Sequence, residues 1–115
     1  MMSKAIIVEG KTDRERLLGI LDEDVDIICT YGTISSDKLE KLIDEEEYDE
    51  VFILVDADEA GQKLRRSIKH EFPNFHHLYT RRKYREVATT PIEELAAILL
   101  KAHFLVREDY ETELV

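Results

Sequence analysis

Cysteine is nearly absent: Cys29 is the single thiol in 115 residues. One thiol excludes an internal disulfide and suits a reducing compartment, so the cytoplasm is the expected location. Set at the end of the run Val25–Cys29, it reads as a small buried filler rather than a nucleophile. Long apolar runs are lacking as well. Ala5–Val8 is broken by Glu9 and Lys11, too soon for a signal peptide, and Leu95–Leu100 is far shorter than a membrane span. Internal repeats, linkers and low-complexity tracts are missing too, and the length suits one domain over residues 1–115. Positive charge is in deficit, with 16 Lys and Arg against 26 Asp and Glu. The resulting net charge of −10 argues, taken alone, against tight binding to nucleic acid.

The distribution of charge points the other way. Acids crowd the stretch from Asp22 to Glu59 and the tail Glu108, Asp109, Glu111 and Glu113. Between Gly61 and Arg85 the single acid is Glu71, against Lys63, Arg65, Arg66, Lys69, Arg81, Arg82, Lys83 and Arg85. Such a basic half can meet a phosphate backbone, or it can be a solvated helix face followed by a charged loop.

Strand and helix signals alternate along the chain. Ala5–Val8 is a short β-branched run of the kind buried in a parallel sheet, Val25–Cys29 reads as a second strand, Val51–Val55 is the clearest, and Phe75–Tyr79 is a weaker fourth. Thr12 with Glu15 fits a capping box opening a helix that carries Leu17, Leu18 and Leu21. Ser35 or Ser36 can cap a second helix with Leu39, Leu42 and Ile43. A third follows Gly61 and stops before Pro73, and a fourth opens near Pro91 and runs to about residue 105, with Ile92, Leu95, Ala96, Leu99 and His103 along one stripe. The tail 107–115 is polar and expected to fray. The order β-α-β-α-β-α-β-α predicts an α/β fold: about four mostly parallel strands in a Rossmann-like three-layer arrangement, with helices on both faces.

In such a sheet, ligands bind beyond the carboxyl ends of the strands. Glu9 directly follows the first strand; Asp56 and Asp58 follow the third. If those strands are neighbours, three carboxylates converge, and they repel unless a cation or a shared proton lies between them. Hard oxygen donors suit Mg²⁺ or Mn²⁺. Gly10 and Gly61 leave room for close backbone approach beside both acidic segments. Asp13 either orients Lys11 or a metal-bound water, or favours the helix N-terminus as a first-turn acid.

Val8-Glu9-Gly10-Lys11-Thr12-Asp13 resembles the Glu-Gly-x-x-Asp segment of the Toprim domain, shared by topoisomerases, bacterial primases and several nucleases. Asp56-Ala57-Asp58-Glu59-Ala60-Gly61 resembles that family's Asp-x-Asp motif in its primase-like form, and Gly32-Thr33 stands where primase-like members often carry a Gly-Thr pair. The likeness covers roughly residues 5 to 80. Further on, Glu86–Pro91 is similar to a Glu-His-Ala-Ser-Pro stretch of the Toprim ribonuclease that matures 5S ribosomal RNA, with Val87 in place of the histidine and one residue added. The resemblance implies that Glu9 is the general acid/base and that Asp56 and Asp58 coordinate metal.

Two functions from different classes fit these residues. One is Mg²⁺- or Mn²⁺-dependent phosphodiester cleavage or transfer on RNA or DNA by Glu9, Asp56 and Asp58. In it Lys63, Arg65, Arg66, Arg81, Arg82, Lys83 and Arg85 grip the backbone, and Tyr84 either stacks on a base or is an ordinary loop tyrosine. The other is a non-catalytic metal-binding module within a larger nucleic-acid-processing or ribonucleoprotein complex. No zinc finger or active-site tyrosine domain is visible, so a self-sufficient primase or topoisomerase is not expected. A receiver domain would bring two adjacent acids after the first strand, where this chain has Glu9 and Gly10. The apolar Leu95–Leu105 stripe leaves self-association open. His76 and His77, being adjacent, cannot share a metal on a strand, and His103 is expected in the core.

Overall fold

The computed structural model describes residues 3–32, 34–81 and 83–111; Thr33, Arg82 and the end of the tail, Glu113 included, lie outside the described residues. Strands β1 (Lys4–Val8), β2 (Asp26–Cys29), β3 (Glu50–Leu54) and β4 (His76–Leu78) form a parallel sheet in the order β2-β1-β3-β4. Helices α1 (Lys11–Ile20) and α4 (Ile92–Lys101) pack on one face, α2 (Ser36–Leu42) and α3 (Glu59–Glu71) on the other.

The strand runs explain the layers. In β1 every residue from Ala5 to Val8 is buried, Ile6 and Val8 against α1 and α4, Ala5 and Ile7 against α2 and α3. β3 repeats the pattern, with Phe52 and Leu54 on the first face and Val51, Ile53 and Val55 on the second. Two-sided burial of alternate side chains makes a continuous apolar run the right sequence for a central strand. The register pairs Ile7 with Ile53 and Leu54 with Leu78, so the carboxyl ends of the strands finish together.

Several local expectations need correction. α1 is capped by Gly10, whose N–H donates to Asp13 Oδ2 at 3.1 Å, so one half of a capping box is made, two residues before the Thr12–Glu15 pair. Asp58 caps α3 by accepting from Gly61 N–H at 2.7 Å, so Gly61 lies in the first turn rather than ahead of the helix. α4 ends at Lys101, and His103 is exposed with φ 67°, a left-handed residue just beyond the C-terminus and not a core histidine. The chain after it is pinned: Val106 bridges Leu21, and Glu108–Glu111 form a short helix, α5. Ser35 caps α2 as expected, accepting from Lys38 N–H. No helix among the described residues is long and apolar enough to cross a membrane.

Candidate metal and phosphate site

Neighbouring strands β1 and β3 bring Glu9 against Asp56. Glu9 Oε1 accepts from the Asp56 backbone N–H at 2.7 Å, a contact across 47 residues of sequence. Asp56 Oδ1 in turn accepts from Val87 N–H at 2.8 Å, and Asp58 Oδ1 is held by its cap on α3. Each of the three carboxylates is thus oriented through one oxygen by a backbone donor, which leaves the other oxygen for a ligand.

The electrostatics report their proximity. Burial, followed by the charges of Asp56, Asp58 and Asp13, holds the Glu9 carboxyl above its usual range, although the Asp56 N–H pulls it down. Burial also raises Asp56, with Asp58 and Glu86 adding to the rise against the Val87 N–H. Asp13 is raised by burial and then by Asp56. Its hydrogen bond to Gly10 makes it the first-turn acid of α1. Lys11 is exposed and forms a long ion pair with Glu15 at 4.0 Å.

Residues 85–90 complete the site, and beyond the charge of Arg85 composition gave no sign of them. Ala57 N–H donates to Arg85 O at 2.6 Å, tying the Asp-x-Asp loop to this segment. Arg16, on α1, donates through its two terminal nitrogens to Val87 O and Thr90 O, pinning the segment from below. Glu86 is near enough to raise both Asp13 and Asp56. The similarity of Glu86–Pro91 to a family stretch was the one signal pointing here.

The basic residues divide. Lys63, Arg66, Arg81, Lys83 and Arg85 are exposed, as a backbone grip requires. Arg65 is not, and its assignment to that grip is corrected: it is 3% exposed. It lies on the inward face of α3 with Gly61, Leu64 and Ile68. Its guanidinium donates to Val55 O and Leu78 O, joining the carboxyl ends of β3 and β4, and to His77 Nδ1 at 3.1 Å. His77 must be neutral to accept that bond, and burial, Arg65 and Lys69 lower it to about 4. Arg65→Met is expected to destabilise the fold by about 2–3 kcal/mol, because two carbonyls lose their donor, with little rescue by lysine, which lacks the fork. Urea unfolding measures it. Because the unfolded chain binds a proton at His77 between pH 6.5 and about 4 and the folded one does not, this histidine costs stability as pH falls through that window. The raised carboxylates act in the opposite sense, so His77→Gln should flatten the acid loss relative to wild type.

An acid-lined carboxyl edge on a β2-β1-β3-β4 parallel sheet, with Glu-Gly after β1 and Asp-x-Asp after β3, defines a class. This chain belongs to the Toprim domain family, whose match covers residues 4–90. It is 51% identical to a small TOPRIM domain protein from Bacillus stearothermophilus of solved structure, with TM-score 0.90 over 96% of this chain and 93% of that one. It is 49% identical over 105 residues to YusF of Bacillus subtilis strain 168, covering 91% of this chain and 72% of YusF. It is also 32% identical over 101 residues to ribonuclease M5 of Mycoplasma pneumoniae, covering 84% of this chain but only 56% of that enzyme.

Proposed function

We propose that this domain acts on nucleic acid by divalent-metal-dependent phosphodiester cleavage or transfer. The observation that carries the reading is the Glu9–Asp56 contact, which unites the acids of two distant motifs at one sheet edge. Similarity to ribonuclease M5 supports a nucleic-acid substrate.

The donor chemistry fits a hard cation: carboxylates preset by backbone N–H groups, each with an oxygen to offer. Among the described residues no three acid, histidine or cysteine side chains close on one point. That geometry suits Mg²⁺, which keeps several waters and takes one or two protein carboxylates, better than a full protein cage. Asp56 and Asp58 would hold it, with Glu9 beside them. When bound, such an ion supplies Lewis-acid stabilisation of the phosphoryl oxygens. Glu9 Oε2, the oxygen not tied to Asp56, would take or return a proton at the attacking or leaving oxygen. Lys63, Arg66, Arg81, Lys83 and Arg85 would hold the phosphate backbone, making binding strongly salt-dependent.

The test is incubation of end-labelled single- and double-stranded RNA and DNA with Mg²⁺, Mn²⁺ or EDTA, beside Asp56→Asn. Metal-dependent cleavage that vanishes in the variant is the expected result. The second reading is a non-catalytic metal-binding module serving a larger complex, since one or two carboxylates can hold Mg²⁺ without any chemistry following. In that case no substrate is cut, and Mg²⁺ still raises the melting temperature of wild type but not of Asp56→Asn.

A further inference from the structure

We propose that the site takes an unpaired strand, whose bases stack on Tyr31 and Tyr79 at the two flanks of the carboxylates. The proposal rests on the nucleic-acid reading above and narrows its substrate class. Among the described residues the exposed tyrosine and phenylalanine rings are Tyr31, 73% exposed, and Tyr79, 54% exposed. Both stand at the carboxyl edge of the sheet. Tyr31 lies two residues beyond β2 and Tyr79 directly follows β4.

The strand order gives these positions their meaning. β1 and β3, which carry Glu9 and Asp56, are the inner strands; β2 and β4, which carry the tyrosines, are the outer ones. Across the edge the sequence is therefore Tyr31, Glu9, Asp56, Tyr79, about 14 Å over three strand spacings. A short strand crossing that edge would set a phosphate over the acids and a base on either side.

The Tyr31 backbone and the Tyr79 ring are both held in place. Tyr31 N–H donates to Glu9 O at 2.7 Å, and φ values of 55° at Tyr31 and 99° at Gly32 turn the chain away from the sheet there. Under Tyr79 lies the Arg65 guanidinium, 4.1 Å from the ring centroid and fixed by two strand carbonyls. A ring already held on one side, with its surface otherwise half open, is a stacking platform with little left to order. Beside it, Tyr79, Arg81 and Lys101 line a groove of about 270 Å³ with Glu94, Ala97 and Ile98. Arg81 pairs with Glu94 at 3.5 Å and remains exposed enough to meet a phosphate as well. Tyr84 fits less well, being half-buried with Lys83 Nζ 5.0 Å from its ring centroid. A paired duplex keeps its base faces stacked internally and cannot offer them to either tyrosine.

Fluorescence anisotropy with labelled oligonucleotides in Mg²⁺, in a Glu9→Gln background to prevent turnover, tests this. Tyr31→Ala and Tyr79→Ala should each weaken single-strand binding about tenfold or more, and the phenylalanine variants should bind as the parent does. A strand made abasic at its centre should bind the parent as weakly as the intact strand binds the alanine variants. Equal binding by parent and alanine variants, or tighter binding of duplex than of single strand, would overturn the stacking proposal and leave the nucleic-acid reading standing. Failure of the parent to bind any nucleic acid would remove both. Tyr31 is far enough exposed that its alanine variant tests the idea without threatening the fold.

Discussion

Glu9→Gln is expected to lower metal-dependent cleavage by about a hundredfold or more while leaving the protein folded. The amide oxygen can still accept the Asp56 N–H that the carboxylate holds at 2.7 Å, so the orientation of the side chain survives. What is lost is the proton-accepting oxygen. The stability side of the same substitution carries a definite sign. Burial and three neighbouring acids raise the Glu9 carboxyl above its ordinary value, so the folded state binds its proton more tightly than the unfolded chain. The stabilisation linked to that proton is full below about pH 4.5 and is lost as pH rises through the folded value. At neutral pH the charged carboxylate therefore burdens the metal-free fold, and glutamine removes the burden. Thermal melting in EDTA at pH 7 should show Glu9→Gln equal to wild type or slightly higher. A melting temperature several degrees lower would mean that Glu9 is chiefly a structural residue and would remove the support for its proton-transfer role.

Gly61→Ala is expected to destabilise the protein by about 3 kcal/mol, a fall of roughly 10 °C or more in Tm for a chain of this size. An added Cβ would stand 1.9 Å from the Asp56 carbonyl oxygen and 2.8 Å from its carbon. Both are backbone atoms and cannot swing aside, so the first turn of α3 must lift off the end of β3. That movement would displace Asp56 and break the cap between Asp58 and Gly61, and cleavage should fall with stability. Gly19→Ala is the matched control, because a Cβ there, in the last turn of α1, meets nothing within 4 Å. It should stabilise by about 0.5–1 kcal/mol through helix propensity. The same chemical change then has opposite signs at two glycines, and equal effects would refute the packing argument.

The alternation of elements was legible chiefly because the two central strand runs, Ala5–Val8 and Val51–Val55, are apolar and rich in β-branched residues without interruption, a pattern that a surface helix does not show. The neighbour relation of β1 and β3 was not, since strand order depends on which helix faces pack best over distances that sequence proximity does not encode. Glu9, Asp56 and Asp58 could be picked out because acids immediately after buried strands are placed at the carboxyl edge by topology alone. Arg65 was misread for a physical reason. Its charge suggested the surface, whereas its spacing of four from Gly61, one from Leu64 and three from Ile68 belongs to the buried face of α3. Weighting spacing above charge would have found it. The part played by residues 85–90 is carried mainly by backbone N–H and C=O groups, which every sequence possesses and none advertises. Arg16 is the exception, a first-helix arginine whose acceptors lie 71 and 74 residues away.

The Arg16 clasp on Val87 and Thr90 also sets a limit on how this domain can be recombined. The last carbonyl it holds belongs to Thr90, and the family match stops at residue 90. Up to that point an insertion or a truncation would release the backbone N–H that orients Asp56. Past it, α4 contributes apolar cover through Leu95, Ala96 and Leu99, a service that many amphipathic helices can render. Beyond Thr90 the chain therefore reaches the acids at the sheet edge through apolar packing, and not through the backbone donor that orients Asp56.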